Sequence, residues 1–233
     1  MSLSLKNLAS ANAPVIRAYL SMVGGSAGRL VISLVYFIAI ANTLSIAEFG
    51  LFATASACGI MLSRLLAFGF VSPLYRIATV KTRLLGVYTA GFLGGVVLSV
   101  PVIVLAAWLT HMVVFSEQMA LATFAKIIVA EVLCWRIMEI AVIVSYGTNR
   151  FGSGSVLVVV ATLLKAIAAV LFAWLADGSL ASWGWYYLAA NGLSAMLAIL
   201  FFYPRVRLRW NLALYTRRWV DAVSVAGAEM LFY

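Results

Sequence analysis

Charged residues are scarce in this sequence. Only 10% of its 233 residues are Asp, Glu, Lys or Arg, whereas 65% are hydrophobic and the mean hydropathy is +1.09. A soluble domain carries about 25% charged residues, because polar groups must cover its surface. The composition therefore excludes a water-soluble fold and indicates a protein whose main solvent is lipid.

Metal-binding and disulfide-forming residues are also few. The chain has one histidine, His111, and two cysteines, Cys58 and Cys134, which both fall inside predicted helices. An isolated buried cysteine is usually a small packing residue, and a single histidine in an outer loop, where we place His111, is poorly suited to a metal site. We therefore expect no metal, no cofactor, no catalytic residue and no nucleic-acid partner.

Long apolar runs dominate the chain instead. A membrane-spanning helix needs about 20 apolar residues, and the runs do not alternate in polarity as membrane strands do. Six runs reach the necessary length: Met22–Leu44, Gly50–Val71, Leu85–Leu109, Ala120–Tyr146, Val156–Ala176 and Trp183–Tyr203. The pattern predicts an all-α, polytopic membrane helix bundle with six transmembrane helices and the start of a seventh.

The predicted organisation has four parts. We expect a cytoplasmic tail at 1–18, a six-helix membrane lobe at 19–203, a basic cytoplasmic connector at 204–219 and the start of a truncated seventh helix at 220–233. The last apolar run would extend only about 21 Å, against a hydrocarbon core of about 30 Å. We therefore expect this chain to be half of a transporter, with a second six-helix lobe missing from it; a dimer of six-helix units is the alternative.

Basic residues fall on one side of the predicted bundle. The first, third and fifth loops contain none and carry Glu48, Glu117 and Asp177 instead. Eleven basic residues lie in the N-terminal tail, the even-numbered loops and the connector: Lys6, Arg17, Arg76, Lys81, Arg83, Arg150, Arg205, Arg207, Arg209, Arg217 and Arg218. Because basic loops resist translocation, the N-terminus is predicted to be cytoplasmic. The connector arginines either bind anionic headgroups or capture substrate.

The remaining five basic residues lie inside predicted helices: Arg29, Arg64, Lys126, Arg136 and Lys165. Each costs about 2.5–3.5 kcal/mol at the centre of a membrane helix. Arg29, Arg64 and Lys126 lie close enough to a helix end for their side chains to reach the headgroups. Lys165 lies about 15 Å into the fifth helix, so we expect it to line an interior cavity.

The fourth predicted helix also carries two carboxylates. Arg136 and Glu139 have the i, i+3 spacing of a pair on one helix face, which predicts an ion pair. Five cations against two carboxylates, Glu131 and Glu139, indicate a path or cavity for an anion. Either carboxylate could exchange a proton as a coupling residue, and the sequence does not distinguish between them.

The junction of the first two helices reads Ile40-Ala-Asn-Thr-Leu44-Ser-Ile-Ala-Glu48-Phe-Gly-Leu-Phe52, and the second run closes with Leu65-Leu-Ala-Phe-Gly-Phe70. These residues resemble the start of Wzx-type oligosaccharide flippases of the multidrug, oligosaccharidyl-lipid and polysaccharide exporter superfamily. The family often has Glu-Phe-Gly-aromatic at this hairpin and a basic residue after the second Gly-apolar pair, which Arg76 matches. Asn42 stands where the family often has a basic residue.

The resemblance implies a function. Family members have two lobes of six helices around a cationic cavity and move an undecaprenyl-diphosphate-linked oligosaccharide across the bacterial inner membrane by alternating access. By this resemblance Arg29, Arg64, Arg136 and Lys165 are the candidates to hold the diphosphate. Two alternatives remain open: an integral membrane enzyme acting on a polyprenyl phosphate, and another lipid or drug exporter of the superfamily.

Overall fold

The computed structural model describes residues 28–211, 215, 216 and 224, and every regular element in this part of the chain is helical. The helices are α1 (Gly28–Thr43), α2 (Ile46–Ser63), α3 (Val71–Val80), α4 (Leu85–Thr110), α5 (Leu121–Val129), α6 (Arg136–Gly147), α7 (Phe151–Leu175) and α8 (Leu180–Leu197). The predicted all-α class is confirmed. The predicted N-terminal tail, and the predicted seventh helix apart from Ser224, lie outside the described residues.

Several of these helices suit a membrane. Four helical segments of the described chain are long and apolar enough to cross one: Ile46–Ser63, Thr82–Phe115, Phe151–Leu175 and Leu180–Phe202. The apolar helix α1 is shorter. A π-helical turn, Ala130–Trp135, joins α5 to α6, so that one helix of about 40 Å runs from Leu121 to Gly147. These long apolar helices are compatible with a multi-pass membrane protein.

The second predicted helix is interrupted, which corrects the expectation of one helix over Gly50–Val71. Helix α2 ends at Ser63, and Ala67, Phe68 and Gly69 have φ angles of 55°, 48° and 76°. A right-handed helix cannot continue through three left-handed residues. The freed N–H of Ala67 donates to Ser99 Oγ of α4 at 3.0 Å instead. Helix α3 then begins at Val71.

The placement of His111 in an outer loop was wrong. Helix α4 continues into a π-helical turn, His111–Phe115, and the imidazole of His111 is buried there. Its Nε2 lies 2.9 Å from the carbonyl oxygen of Met119, and its ring lies 5.4 Å from the ring of Phe124. Packing against an aromatic ring thus keeps the histidine inside the bundle.

An aromatic cluster closes one part of the core between α1, α2, α7 and α8. Trp183 is fully buried at its centre. The ring centroids of Tyr36, Phe52 and Phe172 lie 6.1, 5.8 and 5.3 Å from that of Trp183, and Tyr187 lies 5.6 Å away on the next turn of α8. Rings at these distances pack favourably, so four helices are fixed together at the base of the cavity described next.

Candidate functional site

A polar cavity of about 610 Å³ lies inside the bundle, lined by α1, α2, α6, α7, α8 and the π-helical turn before α6. Its charged lining residues are Arg29, Glu131, Glu139 and Lys165, and hydroxyl groups come from Ser56, Ser155, Thr162 and Tyr187 among others. The structure therefore brings two of the four predicted anion-binding cations, Arg29 and Lys165, to one cavity, together with both predicted carboxylates.

Helix α7 presents Lys165 because of its residue spacing. Ser155, Val158, Thr162 and Lys165 follow one another at intervals of three or four, which places them on one helix face, and all four line the cavity. The ammonium Nζ of Lys165 lies 5.2 Å from the ring centroid of Tyr187, and Lys165 interacts electrostatically with Glu131 and Arg29. Lys165 is thus held at about mid-length of α7, facing the interior.

Glu131 is held by hydroxyl groups. Its side chain is 2% exposed, and its Oε1 accepts hydrogen bonds from Ser56 Oγ at 2.5 Å and from the Tyr187 hydroxyl. Gly59 of α2 permits this approach, because a Cβ at that position would lie 2.8 Å from Cβ of Glu131. The carboxylate therefore sits at the meeting point of α2, α8 and the π-helical turn.

Glu139 has different surroundings. Arg136 Nη1 donates to Glu139 Oε2, which confirms the ion pair predicted from their spacing. Arg64 Nη1 lies 3.8 Å from Glu139 Oε1, and both arginines are buried. Arg64 is the C-cap residue at which α2 ends. Within the described structure, Arg64 and Arg136 flank Glu139 and are not among the cavity-lining residues.

Lys126 lies away from the cavity. Its Nζ is 4.4 Å from the ring centroid of Trp185 and 3.4 Å from the carbonyl oxygen of Ala181. Gly184 leaves room for its aliphatic stem. A cation over a tryptophan face is stabilised by the ring quadrupole, so Lys126 has a structural partner at its own end of the bundle.

The sequence did not predict the hydroxyl donors of the site. Ser56 and Tyr187 lie 75 and 56 positions from Glu131 in the chain, so no local spacing connects them. One weak sequence pattern pointed to the buried face of α8. Trp183, Tyr187 and Asn191 recur every four residues there, and all three are buried. Among the described residues no three His, Cys, Asp or Glu side chains group as metal ligands would.

Comparison with family models, curated proteins and solved structures gave no match. The resemblance of the Glu48 hairpin to the flippase family therefore stays a prediction. The case for a function rests on the cavity and its charges.

Proposed function

We propose that the chain forms a six-helix lobe of a transporter that flips an undecaprenyl-diphosphate-linked oligosaccharide across the bacterial cytoplasmic membrane during the biosynthesis of lipopolysaccharide or exopolysaccharide. The spanning helices are α1, α2, α4, the joined α5 and α6, α7 and α8, with a cytoplasmic N-terminus. The observation that carries the proposal is the presence of Arg29 and Lys165 in one interior cavity.

The chemistry of these two side chains suits a diphosphate. A diphosphate must lose water when it enters the membrane, and a fixed cation in a medium of low dielectric offsets part of that cost. Lys165 provides a point charge, whereas Arg29 provides a planar fork that can bind two phosphate oxygens. The serine, threonine and tyrosine hydroxyls of the lining can bond sugar hydroxyls, while the polyprenyl tail stays in lipid.

The size of the cavity fits this ligand. A volume of about 610 Å³ falls within the range of roughly 300–1,000 Å³ found for small-molecule sites. That volume accommodates a diphosphate with its first sugars. The rest of a longer glycan would occupy the space between two lobes.

The charge balance favours an anion over a cationic drug. Glu139 is already compensated by Arg136 and Arg64, and Glu131 is the remaining carboxylate facing Arg29 and Lys165. An exporter of cations would need uncompensated carboxylates on its lining. The enzyme alternative would need acidic or histidine side chains grouped at one membrane face for metal or base chemistry, and the described residues offer less support for that arrangement.

Alternating access requires two bundles that move against each other around a central site. The proposal therefore includes a second six-helix unit facing the cavity, because charges left exposed to lipid would be expensive. Arg29 is itself exposed in the isolated bundle, and an opposing wall would cover it.

Ligand-dependent stabilisation tests the substrate class. Purified protein is heated in detergent with undecaprenyl diphosphate or with undecaprenol, which has the same tail and no charge. A ligand that binds the native state raises the unfolding temperature, so the diphosphate should stabilise the wild type and undecaprenol should not. Lys165→Gln should abolish the difference, while Lys126→Gln, which removes a cation outside the cavity, should retain it. Equal stabilisation by both lipids would refute the proposal.

A cellular assay tests the transport step. Deletion of the gene in its host should trap the lipid-linked oligosaccharide on the cytoplasmic face of the membrane, and the wild-type gene should restore surface polysaccharide. Normal export in the deletion strain, with no second flippase present, would contradict the assignment even if the lipid binds.

A further inference from the structure

The chain after α8 runs back along the start of α4. Residues 204–211 form neither helix nor strand. The hydroxyl of Tyr203 lies 2.7 Å from Thr89 Oγ1, and the hydroxyl of Tyr215 donates to the carbonyl oxygen of Val87 at 2.8 Å. A Cβ on Gly86 would lie 2.2 Å from the carbonyl oxygen of Arg207, so the two backbones touch where only glycine fits. The start of the connector is therefore docked on the first turns of α4.

This docking gathers cations from three distant segments of the chain. The segment before α4 supplies Lys81 and Arg83, the turn before α7 supplies Arg150, and the docked connector supplies three arginines. All six side chains are exposed, and we call them the basic rim: Lys81, Arg83, Arg150, Arg205, Arg207 and Arg209. Arg150 Nη1 also donates to the carbonyl oxygen of Phe202 at 3.3 Å, which ties the turn to the end of α8.

The described acidic residues lie elsewhere. Glu117 follows the far end of α4, and Asp177 precedes α8 at the end opposite the rim. Glu48 lies in the first turn of α2, and its Oε1 accepts a hydrogen bond from the N–H of Leu180. Leu180 begins α8, at the end of the bundle opposite the rim. Glu131 and Glu139 line the cavity. The rim therefore presents positive charge that no described carboxylate offsets.

Apolar side chains alternate with the rim arginines. Leu208 is 51% exposed and Trp210 is 65% exposed, and the Trp210 ring lies against Gly94 of α4. Exposed apolar groups between cations suit an interface in which charges meet headgroups and apolar groups reach the acyl chains. Tryptophan is enriched at the membrane–water interface. The aliphatic part of an arginine side chain can lie along apolar surface while its guanidinium group reaches the headgroups.

We propose that the basic rim is a binding surface for anionic phospholipid headgroups, separate from the cavity. Guanidinium groups bind phosphate oxygens in pairs, and the docked connector holds three of them on a fixed scaffold. The proposal does not depend on what the cavity transports. A free phosphate ion offers the same oxygens but no acyl chain for Leu208 and Trp210, so the experiment must separate the two ligands.

Lipid retention measured by native mass spectrometry tests the surface. Purified protein is mixed with equal amounts of phosphatidylglycerol and phosphatidylcholine, and the two bound lipids are counted. The wild type should retain mainly phosphatidylglycerol. In the triple variant Arg205→Gln, Arg207→Gln, Arg209→Gln, the ratio of bound phosphatidylglycerol to bound phosphatidylcholine should fall about fivefold for each cation removed. Lys126→Gln should keep the wild-type preference.

A second variant separates the docked geometry from total charge. Gly86→Ala keeps every cation but inserts a methyl group where the Arg207 carbonyl lies, so it should also lower the preference. Gly192→Ala is its control, because a Cβ there meets nothing within 4 Å. Equal retention of both lipids by the wild type, an unchanged preference in both the triple and Gly86→Ala variants, or displacement of phosphatidylglycerol by inorganic phosphate alone would overturn the proposal.

Discussion

The carboxylate of Glu48 joins the beginnings of two helices that are distant in sequence. Its Oε1 accepts a hydrogen bond from the N–H of Leu180 at 3.1 Å, across 132 positions of the chain. Its Oε2 accepts from the N–H and the hydroxyl of Ser45 at 3.2 and 2.7 Å, in a capping box that begins α2. One side chain therefore satisfies N-terminal donors of both α2 and α8, where a negative charge also complements the helix dipoles.

Replacing Glu48 should loosen this end of the bundle. Glu48→Ala removes bonds at two helix starts, and we expect the free energy of unfolding to fall by about 1–2 kcal/mol. Thermal unfolding in detergent measures the change. Glu117→Ala is the control, because Glu117 is an exposed acidic residue between α4 and α5, and it should leave the unfolding temperature unchanged. Equal effects of the two substitutions would show that the double cap contributes nothing.

Gly59 should be sensitive to the smallest substitution. A Cβ at position 59 would lie 2.8 Å from Cβ and 3.0 Å from Cγ of Glu131, so Gly59→Ala must push the π-helical turn away from α2. Overpacking of this kind costs about 1–3 kcal/mol. Gly50→Ala is the control. Gly50 lies on the same helix, and a methyl group there would meet nothing within 4 Å. This substitution should be neutral or slightly stabilising, because alanine favours helix. Thermal unfolding of the two variants compares them directly; equal stability would contradict the close approach.

Much of the fold follows from local sequence, and most of the site does not. The apolar runs predicted the helices, and spacing alone predicted both the Arg136–Glu139 pair and the depth of Lys165. The break after α2 was not predictable, because Ala67 and Phe68 adopt left-handed angles that their types disfavour and that Ser99 of another helix supports. The partners of Glu131 were missed for a related reason: they meet it only through the packing of α2 and α8.

Orientation can be tested by cysteine labelling. In a variant lacking Cys58 and Cys134, a cysteine at Asn149 should be shielded in intact cells from an impermeant reagent, because the basic loops are predicted to be cytoplasmic. A cysteine at Asp177, next to Gly178 in the loop before α8, should react. Asp177 is preferred to Gly178 because a Cβ at Gly178, where φ is 74°, would lie 3.4 Å from the carbonyl oxygen of Thr43. Asn149 also has a positive φ, of 59°, but it already carries a side chain and is exposed. Labelling at 149 with protection at 177 would invert the proposed topology.

Removal of the Lys165 ammonium should impair export without unfolding the protein. Lys165→Ala deletes the cation at mid-length of α7, and we expect export of the lipid-linked glycan to fall by about tenfold or more, since a lost charged contact costs about 1.5–3 kcal/mol. Immunoblotting should show normal abundance in the membrane. Lys126→Ala should export normally, because Lys126 lies over Trp185 outside the cavity. Normal export by Lys165→Ala at normal abundance would remove Lys165 from the site.

Glu131 and Glu139 should respond differently to loss of their charge. Glu139→Gln removes the carboxylate between two buried arginines, Arg136 and Arg64. Because the Glu139 side chain is 24% exposed, the loss of stability should be smaller than the roughly 3–5 kcal/mol that breaking a fully buried pair costs. Glu131→Gln keeps a side-chain oxygen that can accept the hydrogen bonds from the Ser56 and Tyr187 hydroxyls. This variant should unfold at nearly the wild-type temperature.

The same two substitutions test which carboxylate competes with the bound anion. The titratable and charged groups packed around Glu131 are Arg29 and Tyr36 from α1, Lys165 from α7 and Tyr187 from α8, while α2 contributes the hydroxyl of Ser56. The carboxylate of Glu131 and a bound anion both attract the Lys165 ammonium, so Glu131 competes with the anion. Removing the charge of Glu131 should therefore strengthen binding of undecaprenyl diphosphate.

Equilibrium binding of undecaprenyl diphosphate at one fixed pH measures this effect. Glu131→Gln should bind the lipid more tightly than the wild type. Glu139→Gln, assayed at a temperature where it remains folded, should bind with wild-type affinity, because Arg136 and Arg64 already compensate Glu139. Tighter binding by Glu139→Gln with unchanged binding by Glu131→Gln would assign the competition to Glu139 instead. Unchanged binding in both variants would show that neither carboxylate competes for the site.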